Sequence, residues 1–249
     1  MTKKEYKEYS VLILGAGMGT RLRPITNTIP KVMVEIAPGK PLLQHTIELL
    51  RDQGFLNFII NLHYLPEKII EYFGNGEKFG VSITYSDESQ QLMDTAGAIK
   101  KVEGLLSQNF LFMYGDELHF FDFRRLIEVH KKNNALATIV LKKTQDPKNA
   151  DLADIDMNSN RIRKWYKRPH EIQELEENIF GNAGLYILSK DILKNIPVAT
   201  PIKLDGDVLP EIVKKADHAI FGIVAEEPIL DIGNPEKYEK AKKYYQTKK

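Results

Sequence analysis

The chain has 249 residues, 43% of them hydrophobic and 28% charged, with 35 basic against 34 acidic side chains. That is enough for one sizeable core, and a net charge of +1 gives no whole-chain attraction to nucleic acid or to an anionic membrane. The absence of cysteine excludes disulfides, thiolate metal sites and cysteine nucleophiles. The opening MTKKEYKEYS is polar rather than leader-like, and the most apolar runs are only strand-length, so a soluble cytoplasmic protein is expected.

In chain order, apolar runs at Val11 to Leu14, Phe58 to Leu62, Val81 to Tyr85, Phe110 to Tyr114 and Ala137 to Leu141 predict strands. Between them, Pro41 to Gln53 carries Leu42, Leu43, Ile47 and Leu50 on a helical stripe that stops at Gly54. Further helices are expected over Pro66 to Phe73 and Phe123 to Asn133. This βαβ alternation predicts an α/β fold with a Rossmann-like, mixed and mostly parallel sheet flanked by helices, and with ligands beyond the carboxyl ends of its strands. From about residue 150 the runs Ala153 to Met157, Arg161 to Tyr166 and Phe180 to Leu188 follow without a long helix between them, which reads as a small antiparallel lobe. Helical segments return at Asp207 to Lys215 and Pro235 to Tyr245. No linker divides the chain, so residues 1–249 are expected to form a single domain whose pattern changes between about 11–150 and 151–249.

The first strand runs into Gly15-Ala16-Gly17-Met18-Gly19-Thr20-Arg21-Leu22-Arg23. Small residues there let backbone N–H groups approach an anion, although the same glycines also suit a plain strand-to-helix turn. A dinucleotide-binding loop is the obvious competitor, with Glu35 as its ribose acceptor. Against it, the third glycine stands at 19 rather than 20, and Pro24 and Pro30 interrupt the expected crossover helix. An irregular basic loop fits better, with Arg21, Arg23 and Lys31 supplying charge to a triphosphate.

LGAGMGTRLRP followed by IPKVMVEI resembles the amino-terminal signature of the sugar-nucleotide pyrophosphorylases. The resemblance implies that Leu14, Gly15, Ala16, Gly17, Gly19 and Thr20 wrap a nucleoside triphosphate, that Arg21 contacts its β- and γ-phosphates, and that Lys31 lies near the reacting phosphates. Alanine replaces a usual glycine at 16, and Val32 replaces the proline that usually follows the lysine.

Two acidic loops follow, Gly115-Asp116-Glu117 at a strand end and Leu230-Asp231-Ile232-Gly233 near the other end of the chain. Aspartates without histidine or cysteine neighbours suit a hard cation such as Mg²⁺, but they serve equally as solvated or capping residues. The resemblance implies that Asp116 and Asp231 are the metal ligands.

In Leu92-Met93-Asp94-Thr95-Ala96-Gly97-Ala98-Ile99, Asp94 or Thr95 is expected to cap a helix running through Val102. The family's corresponding loop meets the nucleobase, which implies nucleotide-binding roles for Asp94, Thr95 and Ala96, with Asp94 standing where glycine is usual. Asn182, in Gly181-Asn182-Ala183-Gly184, matches a sugar-contacting asparagine. The basic run Arg161 to Pro169 interleaves cations with Trp165 and Tyr166, which invites a nucleic-acid reading; alternation along it and four following glutamates favour an ordinary strand with one wet face. In the family this run ends in a Glu-Lys pair for the sugar and its phosphate, here replaced by Lys167 and Arg168.

The resemblance extends from Val11 to Tyr245, and the left-handed β-helix that longer relatives append is not expected. It implies a magnesium-dependent sugar-1-phosphate nucleotidyltransferase, with a nucleotide-binding portion over about 11–150 and a sugar-binding lobe carrying the second metal aspartate over 151–249, whose partners are a nucleoside triphosphate and a sugar 1-phosphate rather than nucleic acid or membrane. The run INLHYLPEKIIEYFGNGEKFGVSITYS through DTAGAIK looks most like mannose or heptose 1-phosphate guanylyltransferases, favouring GTP. Uridylyl or cytidylyl transfer to another sugar phosphate, a non-catalytic nucleotide-sugar-binding subunit, and homo-oligomerisation remain open.

Overall fold

The computed structural model describes residues 6–215 and 220–248. The strands in chain order are β1 (Ser10–Leu14), β2 (Glu35–Ala37), β3 (Lys40–Pro41), β4 (Asn57–Leu62), β5 (Ser82–Asp87), β6 (Asn109–Tyr114), β7 (Glu117–His119), β8 (Ala137–Lys142), β9 (Leu152–Ile155), β10 (Ile162–Tyr166), β11 (Ile179–Ser189), β12 (Ile220–Val224) and β13 (Ile229–Asp231). The α-helices are α1 (Leu42–Asp52), α2 (Pro66–Phe73), α3 (Asp94–Lys101), α4 (Phe123–Lys132), α5 (Leu209–Lys214) and α6 (Pro235–Thr247). A π-helical turn, Leu204–Val208, leads into α5. This is the expected mixed α/β architecture, and no helix among the described residues is long and apolar enough to cross a membrane.

The chain forms two compact units: Met1–Leu92, Met113–Phe121 and Glu227–Lys249 make the first, Met93–Phe112 and Asp122–Glu226 the second. In the first, β1, β4 and β5 pair in parallel, with Leu14 opposite Asn61 and Leu62 opposite Asp87. Their apolar runs put Val11, Leu12, Ile13, Phe58, Ile60 and Leu62 out of water, as a sheet covered on both faces requires. α1 follows Pro41 and buries Leu42, Leu43, Ile47 and Leu50, while α2 starts on Pro66 and buries Ile69 and Phe73.

Between β1 and α1 the backbone makes three short 3₁₀ turns, Thr20–Leu22, Ile25–Asn27 and Lys31–Met33, instead of a helix. Pro24 and Pro30 lie just before the second and third of these turns, as the proline spacing predicts. Within this unit Leu22, Val34, Ile36, Leu42, Leu118, Ile232, Tyr238, Ala241 and Tyr245 cluster out of solvent.

In the second unit, β10, β9, β11 and β8 follow one another in antiparallel pairing, and β12 joins β8 in parallel. α4 packs on β8, β11 and β12, and α5 on β10. The antiparallel segment expected from residue 150 is thus present, and it extends through β11 to β8. β11 breaks register between Asn182 and Tyr186, beside Gly184 at φ 66°.

Candidate active site

The site in the first unit starts at the carboxyl end of β1. Gly15 donates its N–H to Asn61 Oδ1 at 2.7 Å, and Asn61 Nδ2 donates to Glu88 Oε1 at 3.1 Å. Asn61 and Glu88 are both buried, so the start of the loop is fixed by a polar relay from the ends of the neighbouring strands. The Gly15 N–H is therefore committed within the protein, while Gly17, Thr20 and Arg21 face solvent beyond it. Gly19 turns the loop at φ 62°, where a Cβ would sit 3.0 Å from Lys31 Cβ and 3.0 Å from Thr26 Cγ2. Thr26 Oγ1 donates to the Gly19 carbonyl at 2.7 Å and holds the turn.

The two acidic loops meet through an antiparallel strand pair. β7 and β13 align Glu117 with Asp231 and Leu118 with Leu230, and Ile232 N donates to the Asp116 carbonyl at 3.2 Å. Gly115 lets this loop approach β1, because its N–H donates to the Leu14 carbonyl at 3.0 Å and a Cβ there would lie 2.5 Å from that same oxygen. Lys31, 8% exposed in its side chain, places Nζ 2.5 Å from Asp116 Oδ2 and 3.9 Å from Asp231 Oδ1. The four residues expected to carry the chemistry are thus drawn together: Lys31 bonds Asp116 and lies within ion-pair range of Asp231, and Arg21 faces the same space. A Cβ at Gly233 would lie 2.7 Å from Asp231 Oδ1 and 3.1 Å from Arg21 Nη2.

A residue that the motifs did not single out completes the group. Lys237, in the first turn of α6, donates to Asp231 Oδ2 at 2.8 Å. Burial would raise the Asp231 carboxyl, but the bond from Lys237 and the charges of Lys31 and Lys237 outweigh it and hold its pKa below the ordinary value.

Among the described residues no three histidine, cysteine, aspartate or glutamate side chains gather as a metal cluster. Two carboxylates converging on one ammonium nonetheless mark a position that favours positive charge. An all-oxygen pair of this kind suits Mg²⁺, which takes one or two carboxylates and completes its shell with phosphate oxygens and water.

Residues 10–248 match the nucleotidyl transferase family. The chain belongs to this family. Mannose-1-phosphate guanyltransferase of Yarrowia lipolytica is 33% identical over 231 residues, covering 91% of this chain and 61% of that protein. UTP–glucose-1-phosphate uridylyltransferase of Synechocystis sp. is 31% identical over 242 residues, covering 92% of this chain and 61% of that protein. The chain thus spans about three fifths of the length of these curated relatives. Among solved structures, HddC from Yersinia pseudotuberculosis, also solved in complex with GMP-PN, superposes with a TM-score of 0.76 at 28% identity, covering 95% of this chain and 99% of that one.

Asp94, Thr95, Ala96, Lys167, Arg168 and Asn182 lie in the second unit. Neither Asp94 nor Thr95 caps α3, contrary to the capping expectation: Met93 is the N-cap residue and no side chain caps the helix. The Ile202 carbonyl instead accepts from Ala96 N and Gly97 N, at 2.9 and 3.2 Å, and so occupies N–H groups of the first turn. Thr95 Oγ1 accepts from Leu204 N at 2.7 Å, and Asp94 is exposed at φ 56°.

Asn182 is held on both sides of its amide, Nδ2 donating to Tyr186 Oη at 2.5 Å and Oδ1 accepting from Gly184 N at 3.0 Å. The Arg168 guanidinium lies against the buried Asp151 carboxylate, 3.0 Å from Nη2 to Oδ2, and Nη1 donates to the Asn149 carbonyl at 3.2 Å; Lys167 is exposed. In the basic run, Trp165 is buried and donates Nε1–H to the Asp205 carbonyl at 2.8 Å, which removes it as an exposed stacking face and supports the reading as an ordinary strand.

Proposed function

We propose that the chain transfers a nucleoside monophosphate from a nucleoside triphosphate, with GTP favoured, to a mannose- or heptose-type sugar 1-phosphate, giving a nucleotide sugar and pyrophosphate. The observation that carries this reading is the convergence of Asp116, Asp231 and Lys31 beside the loop that presents Arg21. Guanyltransferases among the similar proteins support the choice of base, and the uridylyltransferase among them keeps UTP as the second reading.

In this mechanism a sugar-phosphate oxygen attacks the α-phosphorus in line, a new P–O bond forms, and the bond to the β-phosphate oxygen breaks to release pyrophosphate. Such chemistry needs positioning and charge neutralisation more than a covalent protein partner. Asp116 and Asp231 would hold Mg²⁺, which when bound supplies positive charge to the reacting phosphate. Arg21 would make paired bonds to the departing pyrophosphate, and Lys31 would both space the carboxylates and neutralise phosphate charge. Lys167, Arg168 and Asn182 are assigned to the sugar phosphate, and Asp94, Thr95 and Ala96 to the nucleobase, on the strength of the motif resemblance.

The test is pyrophosphate release with Mg²⁺ across GTP, UTP, CTP, ATP and dTTP, each paired with hexose and heptose 1-phosphates. Release that requires both GTP and a mannose- or heptose-type phosphate is expected. Release only with UTP or CTP refutes the guanylyl assignment, and nucleotide-sugar binding without release from any pair replaces the enzyme with a binding subunit.

A further inference from the structure

Lys237 stands where helix electrostatics disfavour it. It lies in the first turn of α6, whose N-terminus carries partial positive charge and favours anions there. Asn234 Oδ1 accepts from Lys237 N at 2.9 Å and so fixes the backbone of that turn. Helical side chains lean toward the N-terminus, and Lys237 accordingly reaches back to Asp231 Oδ2 at 2.8 Å. Asp231 is thus held on both oxygens, by Lys237 on Oδ2 and by the more distant Lys31 on Oδ1.

The contacts at this space bring the carboxylates of Asp116 and Asp231 together with the cations Lys31, Lys237 and Arg21, and the buried Glu117 lies opposite Asp231 in the strand pair, so three acidic groups stand against three basic ones. Without nucleotide the site carries no net negative charge to attract a free divalent cation. A triphosphate brings several negative charges and further oxygen ligands, which tips that balance.

We infer that Lys237 is a positioning residue that holds Asp231 as its counter-ion until nucleotide arrives, so that the site takes up its divalent metal together with the nucleotide's phosphates rather than alone. This rests on the assignment of Asp116 and Asp231 as the metal-holding pair. Lys237 shapes the carboxylate's orientation and charge from outside the metal's own ligand set, a place from which partners commonly tune affinity.

The experiment is equilibrium binding of Mn²⁺, read from the electron paramagnetic resonance of the free ion, to the full chain at low ionic strength with and without GTP. Wild type is compared with Lys237→Met, Lys237→Arg and Asp231→Asn. With Lys237 half-exposed, its replacement by Met is expected to tighten nucleotide-free Mn²⁺ binding about fivefold. With GTP bound, the same change is expected to alter affinity by less than about twofold, because the phosphates dominate. Lys237→Arg should behave as wild type. Equal nucleotide-free affinities in wild type and Lys237→Met, with binding that Asp231→Asn still weakens, overturn the role of Lys237 and leave the metal pair standing. Mn²⁺ binding indifferent to Asp231→Asn, with or without GTP, overturns both.

Discussion

Replacing Asn61 by leucine removes a side chain that bonds in two directions while keeping a similar volume. Gly15 N–H loses its 2.7 Å acceptor, and Glu88 Oε1 loses a donor at 3.1 Å, in a place where Asn61 and Glu88 are only 3% and 1% exposed. An unsatisfied buried N–H costs about 1–3 kcal/mol, and a hydrogen bond to a charged group contributes about 1.5–3 kcal/mol. Glu88 has other interactions that soften its share, so a loss of about 3 kcal/mol in unfolding free energy is expected. The loop that follows Gly15 should loosen with it, weakening nucleotide affinity. Urea unfolding of Asn61→Leu, followed by titration with a fluorescent GTP analogue, reads both effects. Asn61→Asp keeps the acceptor for Gly15 but sets a second carboxylate beside Glu88, and should also destabilise. Stability within about 0.5 kcal/mol of wild type in both variants, with unchanged nucleotide affinity, would refute the relay as the device that fixes the loop.

Gly115→Ala would drive a methyl group to 2.5 Å from the Leu14 carbonyl and 2.9 Å from Val32 Cγ1, so backbone must shift. A cost of about 1–3 kcal/mol by thermal unfolding is expected, with turnover falling further than stability because Asp116 is the next residue. Asp94→Gly should raise stability by about 0.5–1 kcal/mol, since it relieves an exposed non-glycine residue at φ 56°; a loss of stability in calorimetry would contradict that strain. Burial holds His119 and His130 neutral, with pKa values pushed down to about 3 and about 4. The unfolded chain binds those protons near pH 6.5 and the folded one does not, so their contribution is fully present above about pH 6.5 and is lost as pH falls toward 4 and then 3. Denaturant midpoints should drop across that window in wild type, and His130→Asn should flatten the upper part of the drop.

The strands and helices with clean periodicity were legible because each buries a face that repeats at its own period. α2 spans Pro66–Phe73, and α1 lies within one residue of the stripe that runs from Pro41 to Gln53. β7 and β13 were not legible, being three residues each and defined only by pairing across more than a hundred residues. Asp116 and Asp231 were legible as residues, whereas their adjacency needed that pairing and a lysine from a third loop. Asn61 offered a faint signal, a single amide inside the otherwise apolar run FIINL, and Lys237 offered none beyond a cation at the wrong end of a helix. The capping expectation for Asp94 and Thr95 failed because a carbonyl from residue 202 took the donors that a side chain ordinarily takes.

The division of the chain also orders events on the ribosome. Every residue of the second unit has been synthesised once position 226 is reached, whereas the first unit still lacks the stretch that begins at Glu227. Domains fold as units during synthesis, amino-terminal parts first, yet here the loop that carries Lys31 must wait for a segment made after the whole of the second unit to supply Asp231. Until then Lys31 has Asp116 but not Asp231 beside it, and a chain released after residue 226 should protect the amides of β8 and β11 from exchange while remaining unable to assemble the paired carboxylates.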